Sequence, residues 1–226
     1  DRSYQSKIGN YFWNLDKKIN NNYKIKDTIY AYLNLLYEYW FIQYDFPNES
    51  GHPYKSSGGK LVYNDQLDKE IPISWSVEEL KTLIKNINTG LNPRSHFKLG
   101  EGENFYVTIK NIENGRVVLD EKCDKISDKS LKIINNRSNL EEGDILFTSI
   151  EPVGKTYLIQ NKPTNWDINE SVFSIKPNSD KLTSEYLYLL LSHKHMKIYS
   201  KNLSGGSIHS GIRHNELLTY KTAYSG

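Results

Sequence analysis

The chain has 226 residues, a formal net charge of +2 and one cysteine, Cys123, which excludes an internal disulfide. Its length fits one domain plus an extension. No apolar run approaches the roughly 20 residues of a membrane helix, and no secretion signal is visible, so we expect a soluble, cytoplasmic protein with no membrane partner. The small net charge does not predict nucleic-acid binding, which must therefore be sought in local clusters.

The first predicted element is a long amphipathic helix. Apolar residues recur at helical spacing from Ile8 to Trp40, until Pro47 forbids continuation. A helix over residues 5–44, with residues 20–22 as a possible bend, would be about 60 Å long. Two interpretations stand: the helix lies across its own domain, or its apolar stripe packs on another helix in a coiled coil or subunit interface. The second predicts these interface residues: Phe12, Leu15, Ile19, Ile29, Leu33, Leu36 and Trp40.

The next two segments are a connection and a short helix. Residues 46–72 are rich in Pro, Gly, Ser and Asn, which predicts an extended linker. Ser76 followed by Glu79 has the pattern of a capping box. The apolar residues of the stretch 80–87 share one helical face, and Gly90 is a typical stop. We therefore predict a helix from Ser76 to the residue before Gly90.

The rest of the sequence predicts a β-rich domain. Short runs of β-forming residues predict strands at 105–109, 116–119, 145–150, 156–159 and 172–175. Glu113-Asn114-Gly115 predicts a tight hairpin that pairs the first two runs antiparallel. A second helix is predicted over residues 184–199, followed by a loop over 202–211. The predicted class is α+β: a long N-terminal coiled-coil-type helix, then a mixed, mainly antiparallel β-rich domain with peripheral helices.

Catalytic and cofactor motifs do not emerge from the sequence. Residues 154–156 end like a phosphate-binding loop, but Ser149 stands where that motif requires glycine, and the segment lies between predicted strands. Asn92-Pro93 begins like an amino-methyltransferase motif, but Arg94 follows. The histidines at 193, 195, 209 and 214 fit no zinc spacing. We predict a non-catalytic protein with no cofactor and no metal.

Local charge favours nucleic-acid contacts on loops. Residues 193–221 hold five Lys or Arg against one Glu, around a Gly- and Ser-rich segment, and residues 90–98 gather Asn, Arg, His and Lys. Arg suits guanine or phosphate and Asn suits adenine. Ordinary solvent loops are the alternative interpretation. The candidate DNA contacts are Arg94, Lys98, Lys110, Asn111, Ser149, Lys155, Ser207, His209, Arg213 and His214.

Several segments, in this order, resemble type I restriction-modification DNA specificity subunits. The more specific are residues 36–41 (LYEYWF), which end the long helix, and residues 143–148 (GDILFT). The others are residues 46–47, 57–63, 71–75, 90–94 and 211–214. Together they extend over most of the chain.

The resemblance implies a DNA-reading subunit. In that family a spacer helix docks modification subunits and separates two target-recognition domains, each of which reads half of a split site. It implies a spacer helix (1–45), a linker (46–72) and one target-recognition domain (73–226). The implied partners are double-stranded DNA, a modification (methyltransferase) subunit that methylates adenine and, through the complex, a restriction subunit.

Alternatives remain at this stage. A complete subunit of the family carries two recognition domains and two spacers, so this chain is either a half-subunit that forms a homodimer or part of a longer polypeptide. The competing function is a non-catalytic protein-interaction scaffold with an oligomerising helix. Salt-dependent binding to duplex DNA separates the two functions, because DNA binding releases counterions. A nuclease or methyltransferase of unfamiliar type has no motif in its favour.

Overall fold

The computed structural model describes residues 1–94, 96–204 and 211–226. The chain divides into two compact units, Asp1–Val62 and Tyr63–Gly226. The first is mainly helical, and the second is a mixed, mainly antiparallel β-rich unit with helices around it. The predicted α+β class is confirmed. In the part of the chain that the structure describes, no helix is both long enough and apolar enough to cross a membrane.

The first unit begins with the predicted long helix. Helix α1 covers Arg2–Tyr37 and continues through one π-helical turn, Glu38–Ile42. Asp1 caps its start, because the Asp1 carboxylate accepts the Ser3 backbone N–H at 2.9 Å. The helix is unbroken across residues 20–22. The prediction of a single helix is confirmed, and it ends two residues earlier than expected.

After the helix, the first unit folds back in a set of turns. The Asp45 carboxylate accepts the Ser56 backbone N–H at 2.7 Å and the Ser56 hydroxyl at 2.6 Å. These hydrogen bonds lower the pKa of Asp45. The Phe46 and Tyr54 rings stack with centroids 4.8 Å apart. Gly59 lies so close to Tyr54 that a Cβ there would approach its ring to 2.4 Å, which excludes any larger residue.

The second unit is built from short strands. Strand β1 (Leu61–Asn64) spans the boundary between the units. The strands that follow are β2 (Lys69–Pro72), β3 (Ser76–Glu79), β4 (Ile84–Thr89), β5 (Asn104–Val107), β6 (Ile112–Glu113), β7 (Arg116–Val117), β8 (Asp124–Ile126), β9 (Ile145–Thr148), β10 (Thr156–Leu158), β11 (Trp166–Ile168), β12 (Val172–Pro177) and β13 (Lys221–Tyr224). Its helices are α2 (Leu80–Leu83), α3 (Asp128–Ser138), α4 (Ser184–Ser192), α5 (Lys194–Ser204) and α6 (His214–Leu218), with a 3-10 turn at Ile109–Asn111.

Two sheets form the centre of this unit. One is antiparallel, with the order β10-β9-β12-β4. The other has the order β11-β5-β8, in which β11 pairs parallel with β5 and β8 pairs antiparallel. Their core side chains include Val107, Leu146, Ile168 and Val172, all fully buried. Transfer of such side chains from water to the core is the main stabilising contribution.

One partly buried ion cluster joins strand β12 of the antiparallel sheet to the loop before β9. The Lys176 ammonium lies 2.9 Å from a carboxylate oxygen of Asp144 and 2.5 Å from one of Glu141. Asp144 is buried and also accepts the Ser174 hydroxyl. Burial opposes the charged form of Lys176, but the two carboxylates outweigh it, and the pKa of Lys176 rises. The pairing compensates the charge of buried Asp144 with that of half-buried Lys176.

The predicted helix from Ser76 to Gly90 is wrong except for one turn. Ser76–Glu79 is strand β3, which pairs antiparallel with the C-terminal strand β13. Only Leu80–Leu83 is helical, and Ile84–Thr89 is strand β4, which pairs with β12. The capping-box pattern is local, whereas both pairing partners lie far along the chain. Pairing with distant strands therefore overrides the helix signal.

Two further predictions need correction. The hairpin at residues 113–115 exists, but it joins β6 to β7, so the predicted pairing of 105–109 with 116–119 is wrong. Strand β5 pairs instead with β8 and β11. The predicted helix over 184–199 is two helices, because His193 has an extended conformation (φ −66°, ψ 152°) between α4 and α5.

The single cysteine lies in the core. Cys123 is 3% exposed, and its Sγ lies 3.3 Å from the backbone oxygen of Tyr106. Burial, reinforced by the nearby carboxylates of Asp124 and Asp120, raises the pKa of the Cys123 thiol to about 11. The side chain therefore packs as a small neutral group.

A buried carboxyl group lies between β11 and α3. Asp167 is fully buried, and its Oδ1 accepts the backbone N–H of Ile168 at 2.8 Å. Burial raises the pKa of Asp167 to about 6, although nearby Ser138, the Ile168 amide and Asn135 act in the opposite direction. The folded protein thus favours the protonated acid more than the unfolded chain does.

We expect Asp167→Asn to remove a pH-dependent loss of stability. Well below pH 3.8 the acid is protonated in both states; as the pH rises through 4 toward 6 the unfolded chain ionises first, so wild-type stability falls. Relative to wild type, the variant should gain up to about 3 kcal/mol between pH 4 and pH 7. Urea denaturation across this range measures the gain. Exposed Asp180→Asn is the control, and equal pH dependence in both variants would contradict the assignment.

Candidate functional site

The ends of several strands meet along one edge of the second unit. Because β12 runs antiparallel to both neighbours, its start lies beside the ends of β4 and β9: Phe173 pairs with Thr89, and Val172 pairs with Thr148. The loops that leave β4 and β9 therefore emerge side by side. These are the loops in which the sequence places Arg94 and Lys155.

The second sheet ends at the same place. Ile168 at the end of β11 pairs with Val107 at the end of β5, and the Asn169 N–H donates to the Val107 carbonyl at 2.9 Å. Gly90 packs directly on this turn, since a Cβ at Gly90 would lie 1.6 Å from the Ile168 carbonyl oxygen. We call the assembled surface the loop edge: residues 90–94, 108–111, 149–155, 169–171 and 211–213.

The loop 149–155 is held by Thr148 and Lys155. The Thr148 hydroxyl donates to the Pro152 carbonyl at 2.7 Å and accepts the Lys155 backbone N–H at 3.0 Å. The Lys155 ammonium donates to the Ile109 carbonyl at 3.1 Å, which brings it next to exposed Lys110. Two of the predicted DNA contacts, distant in sequence, therefore share one site.

The segment 211–213 joins the same loop. The Ile212 N–H donates to the Ser149 carbonyl at 2.7 Å, and Gly211 forms a β-bridge with Ile150. Arg213 and His214 follow and are exposed. The Arg213 backbone N–H is bound by the Glu216 carboxylate at 2.7 Å, which fixes the start of α6. The Arg213 side chain is thus presented at the loop edge from a fixed backbone.

Glu170 anchors the loop that carries Arg94. The Asn92 amide donates to Glu170 at 2.5 Å, while the Tyr106 hydroxyl donates to the Leu91 carbonyl at 2.6 Å and lies 3.4 Å from Glu170. Burial and the Glu170 carboxylate raise the pKa of Tyr106 well above its usual value, so its hydroxyl remains a donor. Sequence reasoning missed Glu170 and Tyr106, although the Asn169-Glu170-Ser171 turn between strands was a detectable signal.

Another missed cation is Arg137, from the last turn of α3. Its Nε donates to the Thr89 hydroxyl at 3.2 Å, so it lies at the end of β4 and is exposed there. The helix that carries it was not predicted, although Ser127 accepts the Ser130 N–H as an N-cap. A serine four residues before Leu131, the first apolar position of the helix, was the available signal.

The other predicted site residues fall into three groups. Asn111 and Ser149 are 7% and 6% exposed, and their side chains bond Thr108 and the Ser171 carbonyl respectively, so they hold the loops together. Lys98 is exposed in the loop between β4 and β5. It lies two residues before Gly100, whose backbone N–H donates to the carbonyl of Lys125 in β8. Ser207 and His209 lie outside the described residues. A DNA contact by any of these remains a prediction.

The chemistry of the loop edge is that of hydrogen-bond donation to an anion. Arg94, Lys110 and Arg213 are exposed, and half-buried Lys155 lies among them. Within residues 1–94, 96–204 and 211–226, no group of three or more His, Cys, Asp or Glu side chains could hold a metal ion. A cavity of about 300 Å³ lined by Lys132, Lys162 and Trp166 lies at the opposite end of β11 and is separate from the loop edge.

The predicted interface residues of α1 are exposed or half-buried in this chain. Five are exposed, from 37% for Leu33 to 61% for Phe12, and Leu36 and Trp40 are half-buried. Further apolar side chains on the helix are exposed too, including Ile8, Tyr11 and Ile25. Exposed apolar surface of this kind is typical of interaction sites, and the subunit interface itself remains a prediction.

Comparison with known proteins identifies the family. The profile of the type I restriction modification DNA specificity domain matches residues 72–221, most of the chain. The chain therefore belongs to this family. It is 29% identical over 157 residues to the type I restriction enzyme MjaIX specificity subunit of Methanocaldococcus jannaschii; the match covers 69% of this chain and 35% of that protein. The chain thus spans about a third of the length of this relative.

Solved structures of the same kind are similar to the chain. The HsdS subunit of Thermoanaerobacter tengcongensis superposes with a TM-score of 0.49 and 16% identity over 73% of this chain and 35% of that one. The type I restriction-modification S subunit of M. genitalium gives a TM-score of 0.43 and 15% identity over 66% of this chain and 34% of that one.

Proposed function

We propose that the chain is a sequence-specific DNA recognition subunit of a type I restriction-modification complex, acting in the cytoplasm. Residues 73–226 form a target-recognition domain that reads one half of a bipartite site, residues 1–45 form the spacer helix, and residues 46–72 link them. The observation that carries the proposal is the loop edge, where exposed Arg94, Lys110 and Arg213 project from loops of a chain of this family.

The proposed subunit directs chemistry that other subunits perform. Phosphate contacts from its lysines position the domain, and loop side chains read base edges in the major groove. A modification subunit methylates adenine in the site, and a restriction subunit joins through the complex. The subunit itself is non-catalytic. The exposed cations at the loop edge favour this function over the protein-interaction scaffold, because their charge is complementary to DNA.

The α1 stripe is the proposed subunit interface. Phe12, Leu15, Ile19, Ile29, Leu33, Leu36 and Trp40 pack against a second spacer helix. If the chain works as a half-subunit, that helix belongs to a second copy, and the homodimer restores two recognition domains. Packing of two such helices would remove from water side chains that are now exposed.

Mapping of adenine methylation tests the function directly. In a genome that carries this protein with its cognate modification subunit, we expect methylated adenines in a two-part motif with a fixed spacer. Deletion of the chain should remove that motif and leave other methylation unchanged. Methylation that persists after deletion, or a motif without two parts, would contradict the proposal.

Side-chain removal at the loop edge tests which residues read DNA. We expect Arg94→Ala and Arg213→Ala each to weaken binding to the methylated motif by about 1–3 kcal/mol and to relax its sequence preference, as loss of a bidentate arginine contact does. Ser207→Ala and His209→Ala test the remaining predicted contacts. Lys129→Ala is the control, because Lys129 is exposed in the first turn of α3, at the strand ends opposite to the loop edge. Unchanged binding by all four variants at several salt concentrations would show that the face is misassigned.

Charge placed in the α1 stripe tests the interface. Ile19→Glu with Leu33→Glu should abolish co-purification with the modification subunit or self-association, because the apolar contact would have to bury carboxylates. The matched control is Leu35→Glu, 64% exposed and about 200° around the helix from Leu33. Size-exclusion chromatography with light scattering measures the association of the variant and of the control. Equal association in the variant and the control would contradict the interface.

A further inference from the structure

Helix α5 carries a row of lysines outside the predicted site. Lys194, Lys197 and Lys201 follow the spacing i, i+3, i+7, which confines them to an arc of about 60° on the helix surface. All three are exposed, and the helix contains no acidic residue. Met196 and Ser200, fully buried, form the other side. We call Lys194, Lys197 and Lys201 the α5 stripe.

The α5 stripe adjoins the loop edge. Gly154, in the loop 149–155, has a φ of +83° and faces the helix: a Cβ added there would lie 3.5 Å from Cγ of Lys197. The next residue, Lys155, reaches toward Ile109 and so lies close to Lys110. The stripe therefore extends the positive charge of the loop edge along a regular helix. No carboxylate of α5 interrupts it.

We propose that the α5 stripe binds the phosphates of one DNA strand next to the half-site and thereby sets the position of the recognition domain. This inference rests on the proposed DNA-reading function. Seven residues of helix extend the stripe over about 10 Å. One strand of B-DNA presents a phosphate every ~3.4 Å along its axis, so the stripe matches about three phosphates.

The chemistry of the stripe separates its role from that of the arginines. Lysine presents a compact charge on a flexible stem, which suits phosphate contact and carries no planar fork for base edges. Arg94 and Arg213 lie on loops, where the backbone can vary with the sequence that is read. The stripe lies on a helix anchored by buried Met196 and Ser200. The stripe supplies affinity that is independent of sequence, and the loops supply selectivity.

The test measures binding of the full chain, assembled with its modification subunit, to two labelled duplexes between 50 and 200 mM salt. One duplex carries the methylated motif and the other does not. Neutralisation in Lys194→Gln/Lys197→Gln/Lys201→Gln should lower the slope of log affinity against log salt by about 2.7 for both duplexes, at about 0.9 per phosphate. The ratio of the two affinities should stay unchanged. Replacement of the three lysines by arginine should preserve the slope.

The matched control removes three positive charges from the strand ends opposite to the loop edge. Lys85, Lys129 and Lys162 are exposed and lie at the start of β4, in the first turn of α3 and before β11. Their triple change to Gln should leave the slope near wild type. A wild-type slope in the stripe variant, an equal loss in the control, or a loss confined to the motif duplex would overturn the inference. Wild-type protein whose affinity does not depend on salt would instead overturn the proposed function.

Discussion

The antiparallel pairing of β12 with both β4 and β9 is the constraint on which the rest of the second unit depends. Residues Val172 and Phe173 open the central strand, so the ends of its two neighbours lie beside them. The Asn169–Val107 hydrogen bond holds the ends of the parallel pair β5 and β11 together at the loop edge. Side chains on four loops of distant sequence therefore meet on one surface. The paired strands therefore hold the loops that carry the exposed cations in fixed relative positions.

Elements with strong local signals were predictable from the sequence. The helix α1 has a sustained apolar period and a proline beyond its end, and no strand among the described residues pairs with its segment. The hairpin at Asn114-Gly115 and the strand Ile145–Thr148 between its glycine turns also carry their own signals. The length of the helix and its apolar period favour an interface role, because its apolar residues exceed what a small domain covers; that role remains a prediction. These are properties of neighbouring residues, which a sequence displays directly.

The rest depended on contacts between distant residues. Ser76–Glu79 has a helix-start pattern, yet its backbone pairs with Lys221–Tyr224, a partner that no local pattern reveals. The site shows the same limit. The sequence identified cations on loops, and the structure adds that Lys110 and Lys155 share one site through the Ile109 carbonyl. It could not distinguish an exposed donor from Asn111, whose amide caps its own turn, because both are polar residues after a strand.

The position of the one cysteine has a practical consequence. A thiol with a pKa near 11 is almost entirely protonated at neutral pH, and the Cys123 sulfur is also shielded by the core. We therefore expect alkylating and maleimide reagents not to modify Cys123 in the folded chain. In this chain, a cysteine engineered on an exposed loop would react in preference to Cys123, so a fluorophore or spin label can be attached at a chosen position without first removing the natural residue.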